Sequence, residues 1–381
     1  MIDKQLSTYL INNRRYLHMH PEIGYNTYQT ANYIYNELIH LGYKPFYLLD
    51  KTAVIAKLDL GKEKTIAFRS DMDALNINEL VDTNYKSTNS YMHACGHDAH
   101  MAVLLAFAKL AIENQEFLNY NIMLIFQPAE EGPLPGGAIK IIKTGTLGKI
   151  DAFFAYHVTN KLYSDTIGIK VGDACAAPDL FDLTITGKGC HASTPHLGKN
   201  PNLVAAKIVL AFEKLYQELK KEDPFLVITT TTMSSDGAYN VIPNQLIIKG
   251  TARSLTNVKR DMLKQKMSSI VDEIALLNDV TIQFNFHYAY NPVFNDEKLA
   301  TIYMQYAKHI FQKTYYLEKP EMVGEDFSYY KSIAPICLIW LGVRGKNQPF
   351  IDLHSPYFTL DEDALIKGAI TYLEILKGTA I

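Results

Sequence analysis

The sequence has few cysteines, almost no excess of charge and no long apolar run, and each shortage removes a class of protein. Four cysteines (Cys95, Cys175, Cys190 and Cys337) are scattered through 381 residues. That is too sparse for a disulfide scaffold, suits a reducing compartment and leaves Cys95 free to act as a thiolate. The 37 basic and 40 acidic residues give a formal charge of -3. No basic field for nucleic acid and no polybasic stretch for an anionic membrane follows from such a balance, so neither partner is expected. The opening "MIDKQLSTYLINNRRYLHMHPE" has no uninterrupted apolar core of a signal peptide. The run "MAVLLAFAKLAI" is broken by Lys109 and too short to span a bilayer. The chain reads as cytoplasmic, with no low-complexity linker and no internal repeat.

With 48% apolar and 20% charged residues, there is material for one large domain or two ordinary ones. Helical periodicity in "TYQTANYIYNELIHLG" stops at Gly42, and "TAVIAKLDL" fits a strand. "KTIAFRS" is a short buried strand leading into "DMDAL", which places Asp71 and Asp73 at a strand's C-terminal end, where ligands bind in open α/β sheets. "NIMLIFQPAEEG" repeats the arrangement and ends at Glu130 and Glu131; "DAFFAYHVTN" repeats it again and ends at His157. With the helical run "HMAVLLAFAKLAIENQ" between two of them, these strands predict an α/β sandwich around a mainly parallel sheet.

Residues 178–289 have a different texture. "LFDLTITGKG" and "NQLIIKGTARSL" alternate like half-exposed strands, while "NLVAAKIVLAFEKLYQEL" and "NVKRDMLKQKMSSIVDEIALL" have helical period. The order β-α-β-β-α-β is that of a small ferredoxin-like unit. The expectation is a discontinuous catalytic domain, 1–177 and 290–381, with a smaller α+β domain inserted at 178–289.

The decapeptide "YMHACGHDAH" holds three histidines, a cysteine and an aspartate. Cys95 and His97 reach one metal ion only if the backbone between them bends tightly, which Gly96 permits. Such donors favour zinc, cobalt, nickel or manganese over magnesium or calcium. Asp71, Asp73, Cys95, His97, Asp98, Glu130, Glu131 and His157 each have a bland explanation alone, as a cap, a solvated face or a structural histidine. Their joint placement at the same ends of successive strands does not. Hydrolysis of an amide by metal-activated water needs ligands and a separate carboxylate to move the proton, and adjacent glutamates can divide that labour.

"RSDMDAL", "MHACGHDAHMA", "FQPAEEGPLPGGA", "GKGCHASTPHLG", "NVIPNQ", "GTARSL", "GEDFSYY" and "LHSPYF" occur in one order along the chain. The set resembles the metal-dependent amidohydrolases that include hippurate hydrolase, N-acetyldiaminopimelate deacetylase and the indole-acetyl amino acid hydrolases, relatives of zinc aminoacylases and carboxypeptidases. The resemblance runs from "RRYLHMHPEIGY" to the C-terminus. It implies a catalytic α/β domain with an inserted lid or dimerisation domain, and a homodimer or higher homo-oligomer. It further implies two divalent ions per subunit held by Cys95, His97, Glu131, His157 and His354, with Cys95 bridging and Glu130 as general base and acid. Asp73, or alternatively Asp71, would orient His97. His191 would stabilise the oxyanion, in some dimers from across the subunit boundary, while Asn240 and Arg253 would contact the substrate's carbonyl and carboxylate. Glu325 and Asp326 in "GEDFSYY" stand either in a structural turn or at the entrance to the site.

The chain departs from many two-zinc relatives, which carry a histidine-aspartate pair and a bridging aspartate where "DMD" and a cysteine-histidine pair stand here. The metal is therefore open: zinc or manganese foremost, with nickel or cobalt accommodated. The leading expectation is hydrolysis of N-acyl amino acids or related dipeptides. An N-acetyldiaminopimelate deacetylase would perform the same chemistry in lysine biosynthesis, with an extra cationic contact that the sequence does not reveal. A non-catalytic metal-binding protein would lack the proton shuttle, and a cysteine hydrolase would leave Glu131, His157 and His354 unused.

Overall fold

A computed structural model describes residues 4–381, which pack as two units. The first comprises the chain up to Ala174, then Phe294–Lys319 and Asp326–Ile381; the second comprises Cys175–Val293 and Pro320–Glu325. The short return Pro320–Glu325 belongs to the second unit because Glu321 pairs with Cys175 and Gly324 lies against the Pro178 ring.

The first unit is built on an eight-stranded sheet, in the order Phe46–Leu48, Ala53–Leu58, Asn121–Gln127, Thr65–Asp71, Ala152–Tyr163, Ile336–Arg344, Thr166–Ile169 and Lys313–Tyr316. Its four middle strands, from Asn121–Gln127 to Ile336–Arg344, run parallel. Asn121–Gln127 and Thr65–Asp71 are buried along their whole length, which is why they read as unbroken apolar runs. Helix His97–Glu113 packs on this sheet and against helices Lys4–Met19 and Leu365–Lys377. Ala99, Ala102, Ala106, Ala108 and Ala111 are fully buried and let those neighbours approach closely. At the centre of the core, the Phe68 ring lies 4.6 Å from Phe107 and 4.5 Å from Tyr372.

Helix Tyr28–His40 ends as its sequence predicts. Gly42, at φ +95, turns the chain so that the N–H groups of Gly42 and Tyr43 return to the carbonyls of Ile39 and Leu38. One expectation is corrected: His157 is not a strand end, since its strand continues to Tyr163. The continuation is supported on one side only. Pairing with Ile336–Arg344 persists through Arg344, whereas pairing with Thr65–Asp71 stops at Arg69 and Ala155, two residues before His157.

In the second unit the strands stand in the order Val227–Ser235, Gln245–Ser254, Ala177–Thr186 and Thr281–His287, all antiparallel. With helices Pro201–Glu222 and Asn257–Asn278 they complete the β-α-β-β-α-β order. Asn200 and Thr256 cap the two helices by accepting the N–H groups of Asn202 and Lys259. Phe181, Leu183, Ile185, Leu246 and Ile248 alternate inward and pack against Phe212, Leu263 and Met267. Among the described residues no helix is long and apolar enough to cross a membrane.

Candidate metal centre

Four segments of the first unit deliver the donors predicted from sequence, His157 coming from strand Ala152–Tyr163. Cys95 precedes helix His97–Glu113, and Gly96 between them has φ +79. A side chain there would have to enter the left-handed region and would bring its Cβ within 2.3 Å of Val158 Cγ2. The loop after Asn121–Gln127 carries Glu130 and Glu131. His354, itself at φ +63, is fixed by its own N–H, which donates to Ala94 O at 2.9 Å and so brings the loop 345–355 beside Cys95.

The Cys95 sulfur is the hub. His157 Nε2 lies 3.5 Å from it and His354 Nε2 3.3 Å from it, and His354 Nε2 lies 3.0 Å from Glu131 Oε1. Donor atoms of Cys95, His97 and His157 fall within 4.8 Å of one another, as do those of Cys95, Glu131 and His354, and those of His97, Glu130 and Glu131. Two three-donor groups therefore share one thiol. Tetrahedral zinc, with Zn–S near 2.3 Å and Zn–N near 2.0–2.1 Å, sets sulfur and nitrogen about 3.6 Å apart, so the two cysteine–histidine spacings fit such an ion.

His97 supplies the second test of fit. Both of its ring nitrogens are buried and make no hydrogen bond, with Nδ1 3.8 Å from Asp71 Oδ1 and 3.8 Å from Asp73 Oδ1. An imidazole with two orphaned buried nitrogens is costly, and a cation would satisfy the one that carries the lone pair. His157 is oriented for the same task. Its Nδ1 donates to Val158 O at 2.8 Å, which leaves Nε2 bare and directed at the thiol.

Burial sets the protonation states. It holds His97 below its usual range and takes His157 down to about 3. Both are thus neutral, the form that binds metal. Burial, with the charges of Glu131 and Glu130, pushes the Cys95 thiol well above its normal range. Protein groups alone do not make Cys95 a thiolate, which counts against a cysteine nucleophile; a bound cation would deprotonate it. Burial works against the Glu131 carboxylate, but the hydrogen bond from His354 and that ring's charge outweigh it and hold the group below the ordinary carboxylate range.

The two aspartates of "DMD" have different occupations. Asp71 is bonded to Arg69 Nη1 and to His100 Nδ1, each at 2.6 Å. Asp73 accepts the backbone N–H of Glu130 at 2.9 Å and of Glu131 at 3.0 Å. Each carboxylate stays 3.8 Å from His97 Nδ1, so neither hydrogen-bonds to it. Asp98 is turned away into a buried cluster with Arg14 and His18, both 2.8 Å from its Oδ2. Asp326, in the first unit, accepts from Arg69 Nη2 at 2.7 Å and from Gln127 at 2.8 Å; Glu325 falls in the second unit.

A family profile for peptidase family M20/M25/M40 matches residues 67–378. The chain belongs to that family. It is 34% identical over 370 residues to IAA-amino acid hydrolase ILR1-like 4 of Arabidopsis thaliana, covering 95% of this chain and 83% of that one. It is 34% identical over 374 residues to N-acetyl-L-cysteine deacetylase of Bacillus subtilis, covering 98% and 88%. The crystal structure of the Bacillus subtilis YXEP protein, described as a dinuclear metal binding peptidase from the M20 family, matches with a TM-score of 0.84 at 30% identity over 98% of each chain. The chain is a metal-dependent amidohydrolase acting on linear amide C–N bonds.

The remaining predicted residues lie in the second unit. His191 is exposed in the short strand Cys190–His191, paired with Val241, and its Nδ1 bonds Ser193 Oγ at 2.7 Å. Asn240 is exposed beside it, its carbonyl accepting Ala192 N–H at 2.9 Å. Arg253 stands near the far end of strand Gln245–Ser254, half-buried, with no ion pair among the described residues. Burial lowers its pKa. Sequence reasoning gave no role to His100, Arg69 or Gln127. The spacing of His100 three residues after His97, which puts both on one helix side, is the one local signal that pointed there.

Proposed function

We propose that the chain hydrolyses N-acyl amino acids or closely related dipeptides, using two divalent ions per subunit held by Cys95, His97, Glu131, His157 and His354. The observation that carries this reading is the single buried thiol shared by two donor groups, with Glu130 beside one of them. When bound, such ions polarise the scissile carbonyl and lower the pKa of water toward about 7. Glu130 takes the proton of the attacking water and returns it to the leaving nitrogen. Asp73 holds the Glu130 and Glu131 backbone in place while they divide these tasks. The exposed His354 side leaves an approach for substrate. Relatives named for an amino acid conjugate and for an N-acetylated amino acid support the substrate class.

In the second unit Arg253 is the carboxylate contact, and a guanidinium that is desolvated more than the nearby Asp179 charge compensates suits that role. His191 and Asn240 are the carbonyl contacts. His191 pairs with Val241, ahead of strand Gln245–Ser254, whereas Arg253 stands near the far end of that strand.

Glu130→Gln should retain bound metal and lose most turnover, whereas Glu131→Gln should lose metal occupancy. Metal analysis beside kcat for both variants tests the reading. Equal metal loss in the two, with residual activity following it, would refute the division of roles.

A further inference from the structure

The third histidine of the decapeptide lies with Asp71 and His97 in a group whose donor atoms fall within 4.8 Å of one another, but both of its ring nitrogens are already engaged. His100 lies one helical turn from His97, with ring centroids 5.3 Å apart. Its Nδ1 stands 2.6 Å from Asp71 Oδ1, and its Nε2 receives the Val158 N–H at 2.9 Å. A backbone N–H only donates, so Nε2 carries no proton and the ring proton sits on Nδ1, facing a carboxylate that Arg69 also holds. The Val158 carbonyl in turn accepts from His157 Nδ1.

This arrangement repairs a gap in the sheet. In a parallel ladder the N–H and C=O of one residue point to the same neighbouring strand, and here the neighbour Thr65–Asp71 has stopped pairing at Arg69 and Ala155. The backbone groups of Val158 are taken up by two imidazoles: His100 accepts its N–H, and His157 donates to its C=O. All of these side chains are buried.

We propose that His100 is a positioning residue for the metal centre: held by Asp71, it fixes the Val158 peptide and thereby aims His157 Nε2 at the metal position beside Cys95. The proposal rests on reading Cys95 and His157 as ligands. Partners beyond the ligands commonly change metal affinity by about 10–100-fold. Leucine at position 100 would leave the Val158 N–H and the Asp71 carboxylate without this partner. Glutamine offers a carbonyl oxygen to accept the Val158 N–H and an NH2 group to donate to Asp71, and can keep both.

The test is cobalt binding to metal-free protein against a competing chelator. It is followed by fluorescence of Trp340, the single tryptophan, whose ring centroid lies 5.1 Å from that of His157. His100→Leu should weaken binding by about 10–100-fold, with kcat recovering at saturating metal, and His100→Gln should restore affinity to within about threefold of the original. Unchanged affinity in His100→Leu, or a glutamine variant as weak as the leucine one, overturns the proposal. His157→Ala separates the two readings: if it binds cobalt as the parent does, the ligand assignment fails and this proposal with it. Should His100→Leu not fold, ¹⁵N NMR of the parent's imidazoles decides, since His100 and His157 must both be Nδ1–H tautomers in the metal-free protein. An Nε2–H tautomer at His100 overturns the proposal.

Discussion

His18 Nε2 stands 3.1 Å from Glu79 Oε1, and both side chains are buried. Burial and the Arg14 charge oppose the imidazolium, but Asp98 and Glu79 outweigh them and raise the His18 pKa. Burial opposes the Glu79 carboxylate, yet the bonds from His18 and the Ser87 N–H lower its pKa. The raised histidine contributes stability that is complete below about pH 6.5 and is lost as pH climbs through its folded value. The lowered glutamate contributes stability present above about pH 4.3 and lost as pH falls through its folded value. The pair is therefore worth most between these limits. His18→Gln should cost about 1.5–3 kcal/mol at pH 6, the range for a hydrogen bond to a charged group, and less at pH 9. Urea unfolding at both pH values measures this, and an equal cost at the two would contradict the ion-pair account.

Removing metal should abolish turnover, because the thiol is held protonated by burial and the other donors provide no nucleophile. Dialysis against a chelator should lower kcat by more than about 100-fold, with activity returning on addition of zinc or manganese. Retained turnover in protein shown to be metal-free would exclude the hydrolytic site described above.

Gly96→Ala should damage both fold and site. The left-handed backbone costs a Cβ-bearing residue about 1–2 kcal/mol, and the 2.3 Å approach to Val158 Cγ2 adds an overpacking cost of about 1–3 kcal/mol. A loss of about 2–5 kcal/mol in denaturant unfolding is expected, with weaker metal binding because Cys95 and His97 flank the bend. A variant as stable as the parent would mean that the bend between them is not required.

What the sequence made legible follows from where the information lies. The strands Thr65–Asp71 and Asn121–Gln127 announce themselves because a buried parallel strand is apolar throughout, and the metal loop does so because its donors are packed into ten residues. The length of strand Ala152–Tyr163 is not legible at His157, since what ends there is pairing on one side and not the strand. The tasks of the two aspartates are hidden for a similar reason. Asp71 finds His100 29 residues away, Asp73 finds the Glu130 N–H 57 residues away, and Arg69 reaches Asp326 across 257 residues. No periodicity or spacing encodes such partners; only the packed sheet brings them together.

Arg253 and His191 should fail in different ways when removed, because a carboxylate contact binds the ground state whereas an oxyanion donor acts as charge develops. Arg253→Ala should weaken N-acyl amino acids with a free α-carboxylate by about 1.5–3 kcal/mol in kcat/KM, and their amides or esters by much less. His191→Ala should lower kcat by about 10²–10³-fold on acid and amide alike. Neither should change metal content, since neither belongs to the donor groups around Cys95. Steady-state kinetics on matched acid and amide substrates, with metal analysis of each variant, separates these outcomes. Equal losses on acid and amide for Arg253→Ala would leave the guanidinium without a carboxylate to hold and reopen the choice of substrate.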